Sequence, residues 1–155
     1  MSDGSELDEL AEALAADVAL TLGAAERAAR SALFRHLHAR GHDAIRPAHL
    51  PVFAGLDAGG SRITDLAAHA GLTRQAMGML VRDVEEAGYV RTGPDPDDGR
   101  AVRVELTERG IAFCLDAARS SRAVSAELSE RLGAARLDAM LGSARAIASP
   151  ESMEQ

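Results

Sequence analysis

The stretch Arg62–Gly110, RITDLAAHAGLTRQAMGMLVRDVEEAGYVRTGPDPDDGRAVRVELTERG, decides the fold. Its first half carries helix punctuation twice over. Ser61 stands where it can cap a helix from Arg62 to Ala70, and Gly71 takes the C′ position that favours a left-handed residue. After Leu72, Thr73 can cap a second helix from Arg74 to about Ala87, stopped by Gly88. Two helices joined by a tight glycine turn make a helix-turn-helix. Beyond Gly88 the apolar period falls from 3.6 to 2. Val90 and Thr92 form a short strand, and Gly93–Gly99 is dense in turn residues. Val102, Val104 and Leu106 then alternate with Arg103 and Glu105. That hairpin is a wing behind the second helix.

Working outward, the fold class is mainly α with a small β-hairpin. The segment Leu7 to about Gly41 is rich in Ala and Leu, which predicts a leading helix, broken near Gly23 and ended by Gly41. A short helix is expected over Pro47–Leu56, with proline in its first turn, before the loop beginning at Asp57. Thr107 can cap a long helix from Glu108 to about Leu132. Gly133 interrupts it, a last helix runs from Ala134 to Ala148, and the tail from Pro150 to Gln155 is expected to fray.

On the second helix of the motif, Ala76, Leu80, Val84 and Ala87, with Met77 beside them, form the stripe expected to pack inward. Arg74, Gln75, Gly78 and Arg82 fall on the opposite side. Arginine can pair bidentately with guanine and glutamine with adenine. Glycine costs about 1 kcal/mol against alanine inside a helix, so a close approach of another backbone would explain Gly78. In the wing, Arg100 follows a proline- and glycine-rich loop and can project into a minor groove. Asp98 is near enough in sequence to orient it. Asp95, Asp97 and Asp98 would repel phosphate if left unpaired.

Composition at first opposes this reading, because the 155-residue chain has a net charge of −7. The acids are unevenly spread. Met1–Asp17 carries six of them and no base, and everything after it sums to −1. All 17 basic residues are arginine, a bias of the coding sequence that gives little weight to arginine over lysine at any one site. A single cysteine, Cys114, excludes an intramolecular disulfide and a CxxC site. The acidic start does not read as a signal peptide, and no apolar run reaches the 18 residues of a membrane span. A soluble cytoplasmic protein with no membrane association is the expectation.

The region Arg62–Gly110 resembles the winged helix-turn-helix core of the MarR family of bacterial transcription regulators. The likeness rests on the turn Gly71-Leu72-Thr73, on Gly88-Tyr89-Val90, and on Asp95-Pro96-x-Asp98-x-Arg100. It closes on Val104-x-Leu106-Thr107-x-x-Gly110. The resemblance implies three parts: an acidic N-terminal segment and leading helix over residues 1–46, a DNA-binding core over 47–107, and C-terminal helices over 108–155. The outer two would hold a homodimer that reads a pseudo-palindrome in double-stranded DNA. Carried over residue by residue, Thr73, Arg74, Gln75, Gly78 and Arg82 would enter the major groove. Arg100, oriented by Asp98, would enter the minor groove, and Ser61 and Arg62 would touch phosphate. Gly99 stands where many members carry a second arginine. Repression, relieved by a small aromatic or phenolic effector, is the implied mode of action. Apolar Leu128, Leu132, Leu137, Met140, Leu141 and Ile147 among many alanines independently suit helix association.

Other residues point to no further chemistry. His38 and His42 share an i, i+4 spacing, but Gly41 is expected to end the helix between them. The five histidines therefore read as surface or supporting side chains rather than zinc ligands. Cys114 reads as a buried structural thiol. Phe34, Phe53, Met77 and Met79 could line an effector pocket but read first as core. No GxSxG, HExxH or Walker-type loop is present, so an enzyme is not expected and no cofactor is implied. The alternative reading is a winged-helix module for protein contact whose DNA face is idle.

Overall fold

The computed structural model describes Leu14 and residues 17–149. Most of the acidic segment, the start predicted for the leading helix and the tail from Pro150 lie outside the described residues.

Helix α1, Val18–His38, begins at Asp17, whose Oδ1 accepts the Leu20 N–H at 2.8 Å. It passes through Gly23 without a break, contrary to the sequence expectation. One glycine is a small cost beside a run of alanine and arginine with high helix propensity. A single 3-10 turn, Pro47–His49, and a separate helix α2, Leu50–Ala54, replace the one helix expected over Pro47–Leu56. The cause is Pro51. Its ring cannot follow the carbonyl of residue 47 in a continuous helix, so the helix restarts with Pro51 in the first turn.

Strand β1, Ser61–Arg62, leads into α3, Ile63–Ala70. Gly71 then adopts φ 64°, ψ 27°, the left-handed cap expected of it. Helix α4, Arg74–Glu86, opens on Thr73, whose Oγ1 accepts the Ala76 N–H. The wing consists of β2, Val90–Pro94, and β3, Val102–Leu106, paired antiparallel with Thr92 opposite Val104. The sheet has a third member that was not expected. β1 pairs antiparallel with the far edge of β3, setting Arg62 opposite Arg103, in the order β1-β3-β2. Helix α5, Glu108–Leu132, is capped by Thr107, and α6, Ala134–Ala148, follows Gly133.

One core joins these elements. Phe34 and Leu37 of α1, Leu66 of α3, Val104 of β3 and Phe113 of α5 close around Met77, Val81 and Val84 of α4. The buried line of α4 is therefore turned from the expected one. Val81 replaces Leu80 at its centre, and Ala76, Leu80 and Ala87 are half-buried at its edges. Because α4 packs against α3 and the 3-10 turn on one side and β2 on the other, it buries a broad face rather than one row. Helix α5 meets the start of β2 closely: a Cβ at Gly110 would stand 2.0 Å from the Tyr89 carbonyl oxygen. Only glycine fits there.

Candidate nucleic-acid interface

The fold presents the outer side of α4 to solvent. Arg74, Gln75 and Arg82 are exposed and Gly78 partly so. No side-chain hydrogen bond is formed by Arg74 or Gln75 among the described residues. Arg82 donates from Nε to the Gly78 carbonyl at 3.2 Å. A Cβ at Gly78 would meet nothing within 4 Å, so no neighbour within the chain explains the glycine. Thr73 commits its oxygen to the cap, which leaves its O–H able to donate.

The wing is organised by an acid rather than by a basic tip. The Asp95 side chain is completely buried and accepts from Arg62 Nε at 3.0 Å and Nη2 at 3.1 Å, a bidentate pair. Arg103 Nη1 adds a third contact at 3.3 Å. The backbone N–H groups of Asp97 and Asp98 donate to Asp95 Oδ1 at 2.9 and 3.1 Å. The hydrogen bonds from Arg62, assisted by those N–H groups, hold the Asp95 carboxyl well below the usual carboxylate range. Asp95 is thus paired and does not present a charge to repel phosphate.

Three sequence expectations change here. Asp98 does not orient the Arg100 guanidinium. Its Oδ1 accepts the Arg100 backbone N–H at 3.1 Å and so fixes the loop. Ser61 does not cap α3, because it lies in β1. Its Oγ accepts the Asp57 N–H at 3.0 Å and donates to the Gly55 carbonyl at 3.2 Å. Arg62 takes the N-cap position without a side-chain cap and spends its guanidinium on Asp95. Arg103 and Asp95 were missed as partners. Only the β1–β3 pairing brings Arg62 to Arg103, and a two-residue strand has no period to read.

A cleft of about 210 Å³ gathers several of the expected residues. Arg62, Ile63, Thr64 and Arg74 line it together with Asp98, Arg100, Ala101 and Val102. Arg74 of α4 and Arg100 of the wing therefore line one opening, while Gln75, Gly78 and Arg82 continue along the helix.

Two of the five histidines, His42 and His49, are buried as supporting side chains, while His38 and His69 are exposed. His42 is buried, with Nδ1 3.1 Å from the Tyr89 hydroxyl and Nε2 3.2 Å from Asp116 Oδ2. It ties the start of β2 to α5, and its hydrogen bond lowers the Asp116 pKa. His49 accepts the Arg46 N–H at Nδ1, and burial lowers its pKa. Among the described residues no group of three or more His, Cys, Asp or Glu side chains is placed to hold a metal. Burial pushes the half-buried Cys114 thiol up. Phe34 and Met77 belong to the core and Phe53 packs against it, whereas Met79 faces outward.

The MarR family model matches residues 45–101, the span from the turn before the 3-10 helix to the end of the wing loop. Over 64 residues, 41% of this chain, it is 38% identical to the HTH-type transcriptional repressor Rv2887 of Mycobacterium tuberculosis. The HTH-type transcriptional repressor Mb2911 of Mycobacterium bovis matches to the same extent. The winged-helix core of this chain matches the MarR family. MarR-family regulators are DNA-binding transcription factors rather than enzymes. The matched stretch spans 46% of each of these curated relatives, so they inform the core alone. Solved structures extend the likeness to the outer helices. CouR from Rhodococcus jostii RHA1, bound to p-coumaroyl-CoA, is 25% identical. That likeness covers 88% of this chain and 95% of CouR at a TM-score of 0.67. CouR bound to a 23-mer DNA duplex is 21% identical over the same shares, with a TM-score of 0.69, and shows the fold. No described helix is long and apolar enough to cross a membrane.

Proposed function

We propose that this MarR-family chain is a sequence-specific transcription regulator, a repressor by sign, that binds a pseudo-palindromic duplex as a homodimer. The observation that carries the reading is the shared cleft of Arg74 and Arg100. Two arginines from different elements line one opening, and neither guanidinium has a hydrogen-bonding partner among the described residues. Desolvating an unpaired guanidinium against phosphate or a guanine edge exchanges water for charge-assisted bonds at no cost to the fold. Thr73, Gln75, Gly78 and Arg82 would follow the major groove. Arg100 would reach the minor groove on a loop fixed by Asp98 and Asp95, and Ser61 and Arg62 would support the approach to phosphate.

In this reading residues 47–107 carry the DNA contacts, and residues 1–46 and 108–155 carry the dimer. Supporting the second part, α6 buries only Leu137, while Met140 and Ile147 are exposed beside Leu132 of α5. Val18 and Leu20 of α1 are exposed as well. Helices this apolar and this open are suited to a second copy. Release by a small aromatic ligand is the corresponding proposal for regulation. It is supported by CouR, whose structure holds p-coumaroyl-CoA.

A gel shift with duplexes from the region upstream of the chain's own coding sequence tests the reading. Binding in about the nanomolar range that weakens steeply with salt is expected. Failure of the folded protein to shift any genomic fragment at low salt would replace the proposal with a protein-contact module.

A further inference from the structure

Met79 is 57% exposed on α4, more than any other large apolar side chain between residues 45 and 106. It does not pack against the core that holds its neighbours Met77, Val81 and Val84. The other large apolar side chains at least half exposed lie on α1, α5 and α6 or at Leu14. A lone exposed apolar residue is ordinary on a protein surface, so exposure alone means little. Its position is what matters. At helical spacing Met79 lies one turn after Gln75 and one turn before Arg82, on the outward face. Gly78 beside it has open space where a Cβ would stand, so nothing on the chain holds a partner surface away from the thioether.

The major groove displays hydrogen-bonding edges and one apolar group, the 5-methyl of thymine. Resting on the DNA-binding reading above, we infer that Met79 is a specificity-determining residue. Its thioether packs on a thymine methyl next to the base met by Gln75. An unbranched, polarisable side chain can settle on that methyl where a branched one would need a fixed rotamer. The thymine preference is thereby separable from the contacts of Arg74 and Arg100, which are electrostatic.

The test uses the full chain and a duplex from its own upstream region, with each thymine replaced in turn by deoxyuridine, which lacks only the methyl. At one thymine per half-site the wild type is expected to bind about four-fold more weakly, the equivalent of one buried methyl group. Met79→Ala is expected to lose the same factor on the thymine duplex and to ignore the deoxyuridine replacement. Met79→Leu is expected to keep part of the discrimination. Equal wild-type affinity for every deoxyuridine duplex would overturn the inference and leave the DNA-binding reading standing. So would a Met79→Ala variant that still distinguishes the two bases. Failure of the wild type to bind any duplex would overturn both.

Discussion

At the root of the wing, Arg62 and Arg103 converge on a fully buried carboxylate, and two backbone N–H groups complete its shell. On the outer face of α4 and at the wing tip, the Arg74 and Arg100 guanidiniums have no hydrogen-bonding partner among the described residues, and both residues are exposed. One residue type serves two purposes within one small lobe. Other arginines fall on the structural side. Arg91 donates to Glu105 across the hairpin, and Arg109 donates to the Ala87 carbonyl while covering the Tyr89 ring at 4.4 Å. A charge count cannot separate these roles. The net −7 of the chain says nothing about α4, because the guanidiniums available to a ligand are those the fold leaves unspent.

The comparison can be broken first on its structural side. Gly110→Ala would drive a Cβ into the Tyr89 carbonyl and push α5 from the strand that anchors the wing. A loss of more than about 4 kcal/mol, or roughly 10 °C in melting temperature, is expected. An unshifted thermal melt would contradict the seating of α5 on β2. A smaller loss is expected for Asp95→Asn, which leaves Arg62 and Arg103 without their anion. Here the pH dependence carries the sign. A carboxylate whose pKa is lowered on folding contributes fully above its unfolded value and loses that contribution as pH falls through the folded one. The variant's deficit in melting temperature is thus expected to hold at neutral pH and to narrow progressively from about pH 5 downward. A deficit that widens in acid would contradict the pairing.

The smallest effect on the fold falls on the other side. Gly78→Ala meets no atom within 4 Å and replaces a poor helix former with the best one. A gain of about 1 kcal/mol, a few degrees in melting temperature, is expected together with weaker DNA binding. Stability and affinity moving in opposite directions would mark the position as kept for a partner. If affinity rises along with stability, Gly78 is not at the interface.

Much of this division was legible in the sequence because its signals are local. Thr73, Thr107 and Gly71 are caps whose chemistry depends on a few adjacent residues, and each behaves as read. The alternation Val102, Val104, Leu106 placed β3 correctly. What failed depends on pairing across distance. β1 is two residues long and exists only because β3 offers it an edge, so neither the third strand nor the Arg62–Asp95–Arg103 cluster could be read from spacing. Asp98 looked like the partner of Arg100 because it is two residues away. The geometry of the turn gives it the backbone N–H instead. Likewise the buried face of α4 turned toward Val81, since its neighbours α3, β2 and the 3-10 turn together set the angle, and the spacing within α4 alone does not contain them.

The central claim is that Arg74 and Arg100 are spared by the fold for DNA. Titrating wild type, Arg74→Ala and Arg100→Ala against one upstream duplex, with a thermal melt of each protein alongside, tests it most directly. Each substitution is expected to weaken binding about ten-fold or more while leaving the melting temperature in place. Unaltered affinity in both variants would contradict the account.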